Sequence, residues 1–485
     1  MSIRRNDVLF IAAGLLMILI STVMNFSAVG YIFTLAAALF TFFNPKKGLI
    51  LLFLYMPVEP FVSEYNSGMM AFADAVIFSA LLKVFWQNRK DIKSLFHFHW
   101  FEYGYLGFIA AGVIAALLNG VPPVSIIFQI RAFILFYLIF YLVKRLKVTK
   151  EDLRLVIWST VSIFLLLIVQ GVVEKLSVRG LFLPDTWQAW PLSAVNRIRI
   201  YGMLGNPNVL SIYMSFAFIL FIYLKNRFTG KTAWLFAILA VMAMGTIVLT
   251  YSRGTWIGFG LGLVLYIFLT KRYRIVIETA KYLAISGLLF ILPLNLLTTY
   301  IESTEAGQQK VGSIQQYDEG GQSNFSDRIG NTFSDDTIRS SEEAGRMYIV
   351  KKGFEVFLDH PVIGTGFSTY GDSASLSRGS VIYEEYEVTH NFYSDNQYIQ
   401  VIVQTGIIGV ALFALFLLGM LKELYSRRKE SRFYIYMAGV LIGSFFMGLV
   451  YNLWENDIFA LIFFASMGLA LNMHQPVKQL DIPEK

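Results

Sequence analysis

The sequence contains no cysteine and few charged residues, and these absences exclude several classes of protein. Without cysteine the chain has neither disulfides nor thiolate metal sites. A soluble chain of 485 residues could not bury a composition that is 56% hydrophobic and only 15% charged. A Walker loop, a dinucleotide-binding fingerprint, HExxH and GxSxG are also missing. The sequence therefore gives no support to ATP-driven or metalloprotease mechanisms.

Apolar residues occur in runs of about twenty, the length that a helix needs to cross the hydrocarbon core of a bilayer. The first run follows Arg4 and Arg5 and resembles a signal peptide, but no convincing small-residue cleavage site ends it and another apolar run follows at once. We interpret it as a retained first helix. The fold class is therefore predicted to be an all-α polytopic membrane protein with about 14 transmembrane helices, in a range of about 12 to 14. The predicted spans are 7–27, 29–44, 48–63, 69–86, 101–119, 123–143, 153–173, 207–224, 233–251, 254–270, 277–298, 396–420, 433–451 and 455–472.

Basic residues mark alternate connections between the predicted spans, as the positive-inside rule requires. These residues are Lys46, Lys47, Arg89, Lys90, Lys93, Lys144, Arg145, Lys147, Lys150, Lys225, Arg227, Lys231, Lys271, Arg272, Arg274, Lys422, Arg427, Arg428, Lys429 and Arg432. We attribute the net charge of +7 to this pattern rather than to nucleic acid binding. Both termini are then expected in the cytoplasm, and the two long connections outside.

The pattern divides the chain into spans and long outer connections. The predicted segments are 1–173, N-terminal transmembrane helices; 174–206, an outer loop with Trp and Arg; 207–300, transmembrane helices; 301–394, a large extracytoplasmic loop; 395–472, C-terminal transmembrane helices; and 473–485, a cytoplasmic tail. Within the large loop, 304–341 is rich in Ser, Gly, Gln and Asp, which predicts a flexible segment. Residues 346–358 have apolar residues at helical spacing, which predicts a helix. Residues 359–361 should end that helix, and residues 364–366 should form a tight turn.

Arginines on the outer side are candidate ligands for an anion. Arg253 is the one basic residue of a short outer connection; a guanidinium binds phosphate through two hydrogen bonds, although a snorkelling interfacial arginine is the alternative. Arg199 precedes a predicted helix start at Pro207, with Asn206 as the N-cap. The N–H groups of this helix start could bind an anion, and the alternative is that the helix start only begins a span. Arg346 opens the loop helix, where the macrodipole disfavours a cation, so it either faces a ligand or is solvated.

The remaining candidate functional residues are two possible proton acceptors and one pair of charged residues within the predicted spans. His390 ends the long loop, and Asp395 directly precedes the span that begins at 396. Either side chain could accept a proton from a sugar hydroxyl, while Asp395 could also be only an N-cap and His390 only a surface residue. Asp74 and Arg131 lie within predicted spans, where charges usually pair or bind something. A structural Asp74–Arg131 pair is expected.

Sequence blocks in the second half of the chain carry a family resemblance. They are 199–208, with Gly205-Asn206-Pro207-Asn208; 250–254, Thr-Tyr-Ser-Arg-Gly; and Gly345-Arg346 followed by 360–366, His390-Asn391 and Gly406-Ile407-Ile408-Gly409. In this order they resemble the O-antigen ligase and polysaccharide polymerase family over about residues 190–420. The resemblance implies a bacterial helical bundle similar to the C-type glycosyltransferases. It also implies glycosyl transfer from a polyprenyl-pyrophosphate-linked glycan, with no cofactor, nucleotide sugar or required metal.

By this resemblance, Arg253 and Arg346 match the arginines held to bind the pyrophosphate. The family pattern of His-Asn, nine residues and Gly-x-x-Gly is broken here, because counting back from Gly406 leads to Asp395-Asn396 and not to His390. Asp395 keeps the register and His390 the residue type. We favour His390 slightly, since a carboxylate beside the leaving phosphates would hinder their binding.

Together with the outer position of the polar residues, the resemblance implies a glycan polymerase that extends one lipid-linked repeat unit with another at the outer face of the cytoplasmic membrane. The product would be O-antigen, capsule, exopolysaccharide or teichuronic acid. A ligase that uses a different acceptor is one alternative, and a lipid-linked oligosaccharide flippase is another. A transporter would need charges or broken helices near the midplane, whereas here the polar residues crowd the outer face. Membrane lipids, a flippase and a chain-length regulator are the expected partners, and nucleic acid is not.

Overall fold

The computed structural model describes residues 3–190, 192, 194–305, 307–308 and 345–474. Within these ranges it is helical and contains no strand. The helices are α1 Arg5–Val23, α2 Ser27–Phe43, α3 Pro45–Tyr55, α4 Glu59–Tyr65, α5 Phe72–Gln87, α6 Ile92–Leu95, α7 Trp100–Leu118, α8 Pro123–Arg145, α9 Lys150–Leu176, α10 Asp185–Gln188, α11 Ala194–Arg197, α12 Pro207–Arg227, α13 Gly230–Leu249, α14 Arg253–Thr270, α15 Arg274–Ser286, α16 Leu292–Ser303, α17 Arg346–Asp359, α18 Ser373–Arg378, α19 Gln397–Ser426, α20 Arg432–Met447 and α21 Asp457–Ala470. Most of the predicted flexible segment and of the C-terminal tail lies outside the described residues.

Eleven helical segments in the described residues are long and apolar enough to cross a membrane. The shorter apolar helices α2, α20 and α21 are a further set. Each predicted span overlaps one of these segments. The all-α polytopic fold class is therefore confirmed, and the count of about 14 spans stays a prediction because these three helices are short for a bilayer.

The bundle is held by extensive packing of helix pairs, among them α7 with α19, α12 with α13, α14 with α20, and α8 with α21. One large apolar core joins these pairs. Many leucines and phenylalanines on the outer surfaces of the spans remain exposed, among them Leu16, Leu35 and Phe78. Such exposure is expected where the surrounding solvent is lipid.

The structured part of the long loop, residues 345–394, packs onto the first half of α19. Its helix α17 contributes Ile349 and Val356 to a small separate core that also contains Ile399 and Val403 of α19. The prediction that a helix would begin at Arg346 and stop near residues 359–361 is confirmed. This packing brings the first residue of α17 close to the first residues of α19.

Candidate functional site

The glycine-containing turn at 360–366 docks onto a kink in α19. Gly406 leaves the helical conformation with φ 56° and ψ −162°. The backbone N–H of Ile407 consequently donates to the carbonyl of Pro361 at 2.9 Å, and that of Thr365 donates to the carbonyl of Val403 at 2.9 Å. These bonds fix the long loop to the span that carries the candidate base at its start.

Replacing Gly406 with alanine should destabilise this junction. A Cβ at this position would lie 2.4 Å from the carbonyl oxygen of Val362, and the positive φ adds roughly 1–2 kcal/mol of strain for a residue with a side chain. We expect the thermal unfolding midpoint of the purified protein to fall by several degrees. Gly260→Ala is the matched control: Gly260 lies inside α14 with nothing within 4 Å of its Cβ position, so its midpoint should hold or rise. Equal midpoints for the two variants would contradict the proposed docking.

Asp395 is not the N-cap of α19. The cap is Asn396, whose side-chain oxygen accepts from the N–H groups of Tyr398 and Ile399, each at 3.1 Å. Asp395 precedes the cap in a left-handed conformation with φ 48°, which aspartate tolerates better than most residues. Capping therefore does not account for the aspartate, and its carboxylate is directed elsewhere.

The carboxylate of Asp395 pairs with Arg346. The Nη2 atom of Arg346 lies 3.1 Å from the Oδ2 atom of Asp395, and the two side chains are 52% and 41% exposed. An ion pair this open to solvent contributes little stability, typically about 0–1 kcal/mol. A charged ligand could therefore replace either partner at small cost. The structure thus joins one candidate arginine to one candidate base.

The connection between α20 and α21 links this pair to the turn that carries Arg253. Asn452 accepts a hydrogen bond from the N–H of Asn396 at 2.9 Å. The neighbouring Tyr451 hydroxyl hydrogen bonds to that of Ser252 at 2.8 Å, directly before Arg253. One short connection therefore contacts both the start of α19 and the start of α14.

Arg253 is the exposed first residue of α14, after Tyr251 with φ 52°. Arg199 contacts the same turn. Its Nε donates to the carbonyl of Thr250 at 2.7 Å, and its Nη2 donates to the side-chain oxygen of Asn208 at 2.5 Å. These contacts favour a positioning role for Arg199, since they direct its guanidinium toward protein oxygens. The predicted Asn206 cap of α12 is confirmed.

His390 lies on the surface of the loop. Its Nδ1 is 3.3 Å from the hydroxyl of Thr389, and its ring meets that of Phe392 edge-on with centroids 6.4 Å apart. Both contacts are with residues of its own loop. The structure thus gives His390 an accessible imidazole, while the direct contact with a candidate arginine belongs to Asp395.

Asp74 of α5 and Arg131 of α8 form a two-bond ion pair. The Nε and Nη2 atoms of Arg131 donate to the two carboxylate oxygens of Asp74 at 2.7 and 2.6 Å. Two parallel bonds of this kind are the strong geometry for an arginine–carboxylate contact. The pair joins two spans, which favours a structural role.

The buried carboxylate of Glu455 was missed by sequence reasoning. It accepts from the hydroxyl of Ser373 at 2.7 Å and from the side-chain amide of Gln129 at 2.6 Å. Its partners come from α8 and from the long loop, so the sequence offered no local signal for this contact. Glu455 therefore connects the long loop to α8 of the bundle.

Across the described ranges, from 3 to 308 with their gaps and from 345 to 474, no cluster of three acidic or histidine side chains could hold a metal ion.

Comparison with known families adds an independent finding. Residues 238–414 match the family model described as O-Antigen ligase. The matched region begins within α13 and ends within α19, so it contains Arg253, Arg346, His390 and Asp395. No curated protein matches the chain. Over residues 238–414, this all-helical, multi-pass membrane protein is therefore similar to the O-antigen ligase family.

Proposed function

We propose that this protein is a membrane glycan polymerase. It transfers a polyprenyl-pyrophosphate-linked glycan onto another lipid-linked repeat unit at the outer face of the bacterial cytoplasmic membrane. The observation that carries the proposal is the Arg346–Asp395 contact at the start of an apolar span, which the connection between α20 and α21 links to the Arg253 turn. A cation beside a carboxylate is suited to a reaction in which a phosphate leaves and a hydroxyl loses its proton.

In the proposed reaction, a sugar hydroxyl of the acceptor attacks the anomeric carbon of the donor glycan. The bond from that carbon to the pyrophosphate oxygen breaks, and polyprenyl pyrophosphate leaves with the bonding electrons. Arg253 and Arg346 bind the pyrophosphate and stabilise the negative charge that grows on it. Charge neutralisation is thereby assigned to residues of the chain.

Donor binding would also prepare the base. The pyrophosphate takes the place of Asp395 on Arg346, because the open ion pair is weak and a guanidinium binds phosphate well. The released carboxylate then accepts the proton of the attacking hydroxyl. His390 is the second candidate for this step. Arg199 positions the Arg253 turn, and the Asp74–Arg131 pair joins two spans.

Both termini are proposed to be cytoplasmic and the long loop extracytoplasmic, which the alternating basic connections support. This orientation puts the starts of α14, α17 and α19 on the outside. The donor must then be delivered there by a flippase, and a chain-length regulator is the other expected partner.

Proteoliposomes whose only glycan is the lipid-linked repeat unit test the activity. We expect the purified protein to lengthen that glycan, because donor and acceptor are the same molecule for a polymerase. In inverted membrane vesicles, the polymer should resist an impermeant glycan-degrading enzyme until detergent is added, since the outer face is then in the lumen. Movement of the repeat unit between leaflets without lengthening would support a flippase and overturn the proposal.

A ligase is the second candidate, favoured by the description of the matching family model. A ligase would leave the repeat unit unchanged in the same proteoliposomes and would act only after a different acceptor was added. The acceptor requirement therefore separates two functions that share one chemistry.

A further inference from the structure

A large cavity lies at the opposite end of the bundle, between α9, α12, α20, α21 and the turn that joins α14 to α15. Its volume is about 1400 Å³, larger than the roughly 300–1,000 Å³ of ordinary small-molecule sites. Among the candidate spans of the described residues, α14 and Arg274–Ser303 have the smallest shares of buried residues, 17% and 11%. Although α14 packs against α20 and α15 against α13, the cavity remains open beside these contacts.

The wall of the cavity is apolar and aromatic. It is formed by Phe216, Tyr223, Tyr266, Tyr436 and Ile462 together with other aliphatic side chains. A smaller apolar cavity of about 130 Å³ shares part of this wall and extends along α14 to Thr255. A wall of this composition favours hydrocarbon chains over a water-soluble ligand.

The mouth of the cavity is strongly basic. Three separate elements supply the charges: the end of α12, the turn between α14 and α15, and the start of α20. The basic residues are Arg227, Lys271, Arg272, Arg274 and Arg432, against the single acid Glu278 in the lining. Basic residues are common at cytoplasmic helix ends, but here they converge on one apolar cavity. A phosphate at the mouth would meet several cations at once.

We propose that this cavity binds an anionic phospholipid of the cytoplasmic leaflet. Its phosphate contacts the basic mouth, and its acyl chains lie along the aromatic wall. The bound lipid fills the gap beside α14 and so supports the helix whose other end carries Arg253. The proposal does not depend on the glycan polymerase activity, because binding is measured without substrate.

The test measures the thermal unfolding midpoint of the purified protein in detergent. Separate titrations add phosphatidylglycerol, phosphatidylcholine or inorganic phosphate. We expect phosphatidylglycerol to raise the midpoint most. In the Arg272→Gln/Arg274→Gln/Arg432→Gln variant, the phosphatidylglycerol concentration needed for the same rise should increase at least about tenfold, since each basic residue contributes to anionic lipid binding. Ser466→Trp places a bulky side chain inside the cavity without changing its charge, so it should also weaken the stabilisation by phosphatidylglycerol.

Arg89→Gln/Lys90→Gln/Lys93→Gln is the matched control. It removes the same number of basic residues from a cytoplasmic connection outside the cavity lining, so it should respond like the wild-type protein. Equal stabilisation by phosphatidylcholine would reduce the effect to general lipid solvation. An equal effect of inorganic phosphate would indicate a soluble anion instead, and an equal loss in the control variant would indicate general surface charge. Each of these results would overturn the proposal.

Discussion

Replacing Arg253 with lysine should reduce polymer formation by about 100-fold or more, the usual effect of removing one preorganised donor to a charge that develops in the transition state. Lysine keeps the positive charge but cannot form the two parallel hydrogen bonds of a guanidinium. Arg253 begins α14 in an exposed position, so the variant should reach the membrane in normal amount. The measurement is polymer yield in cells that lack the native copy, together with the amount of protein in the membrane.

Arg346→Lys should behave similarly, because both guanidinium groups are proposed to bind the same pyrophosphate. Lys351→Gln is the control on the same helix: it removes an exposed charge from α17 and should leave the yield near normal. Arg378→Lys controls for the exchange of a guanidinium elsewhere in the loop, where Arg378 stacks on Phe128. Wild-type yields from both Arg253→Ala and Arg346→Ala would contradict the proposal that these arginines bind the pyrophosphate.

The spans and the helix that begins at Arg346 were predictable from the sequence because their signals are local. Apolar runs of sufficient length, basic connections and an asparagine before Pro207 each depend on a few consecutive residues. The Arg346–Asp395 pair has no such signal, because it joins residues 49 positions apart. The structure was also needed to show that Asn396 is the cap, since either Asp395 or Asn396 could cap that helix by residue type.

The end of α20 shows where apolar composition misleads. The predicted span 433–451 continues past Met447, but the helix ends there. Beyond it the carbonyl of Gly448 accepts from the N–H of Gln397 at 2.7 Å, so the chain turns toward α19. This connection therefore contacts the start of α19 through Gly448 instead of continuing the span. Hydrophobicity alone cannot distinguish these two environments.

Replacing Asp395 with asparagine should slow glycosyl transfer by about 100-fold or more, the scale of losing a general base. Asparagine has nearly the same shape, and it cannot accept the proton of the acceptor hydroxyl. The helix should still form, because its cap is Asn396. The measurement is single-turnover transfer with purified lipid-linked substrate, which separates the chemical step from product release.

Asn396→Ala controls for the helix start. It removes the cap and should lower stability by about 1 kcal/mol, while the carboxylate of Asp395 remains available for transfer. His390→Ala tests the second candidate, whose exposed imidazole has no part in the Arg346 contact. Loss of transfer in His390→Ala but not in Asp395→Asn would move the role to the histidine, and near-normal rates in both would mean that neither side chain is the base.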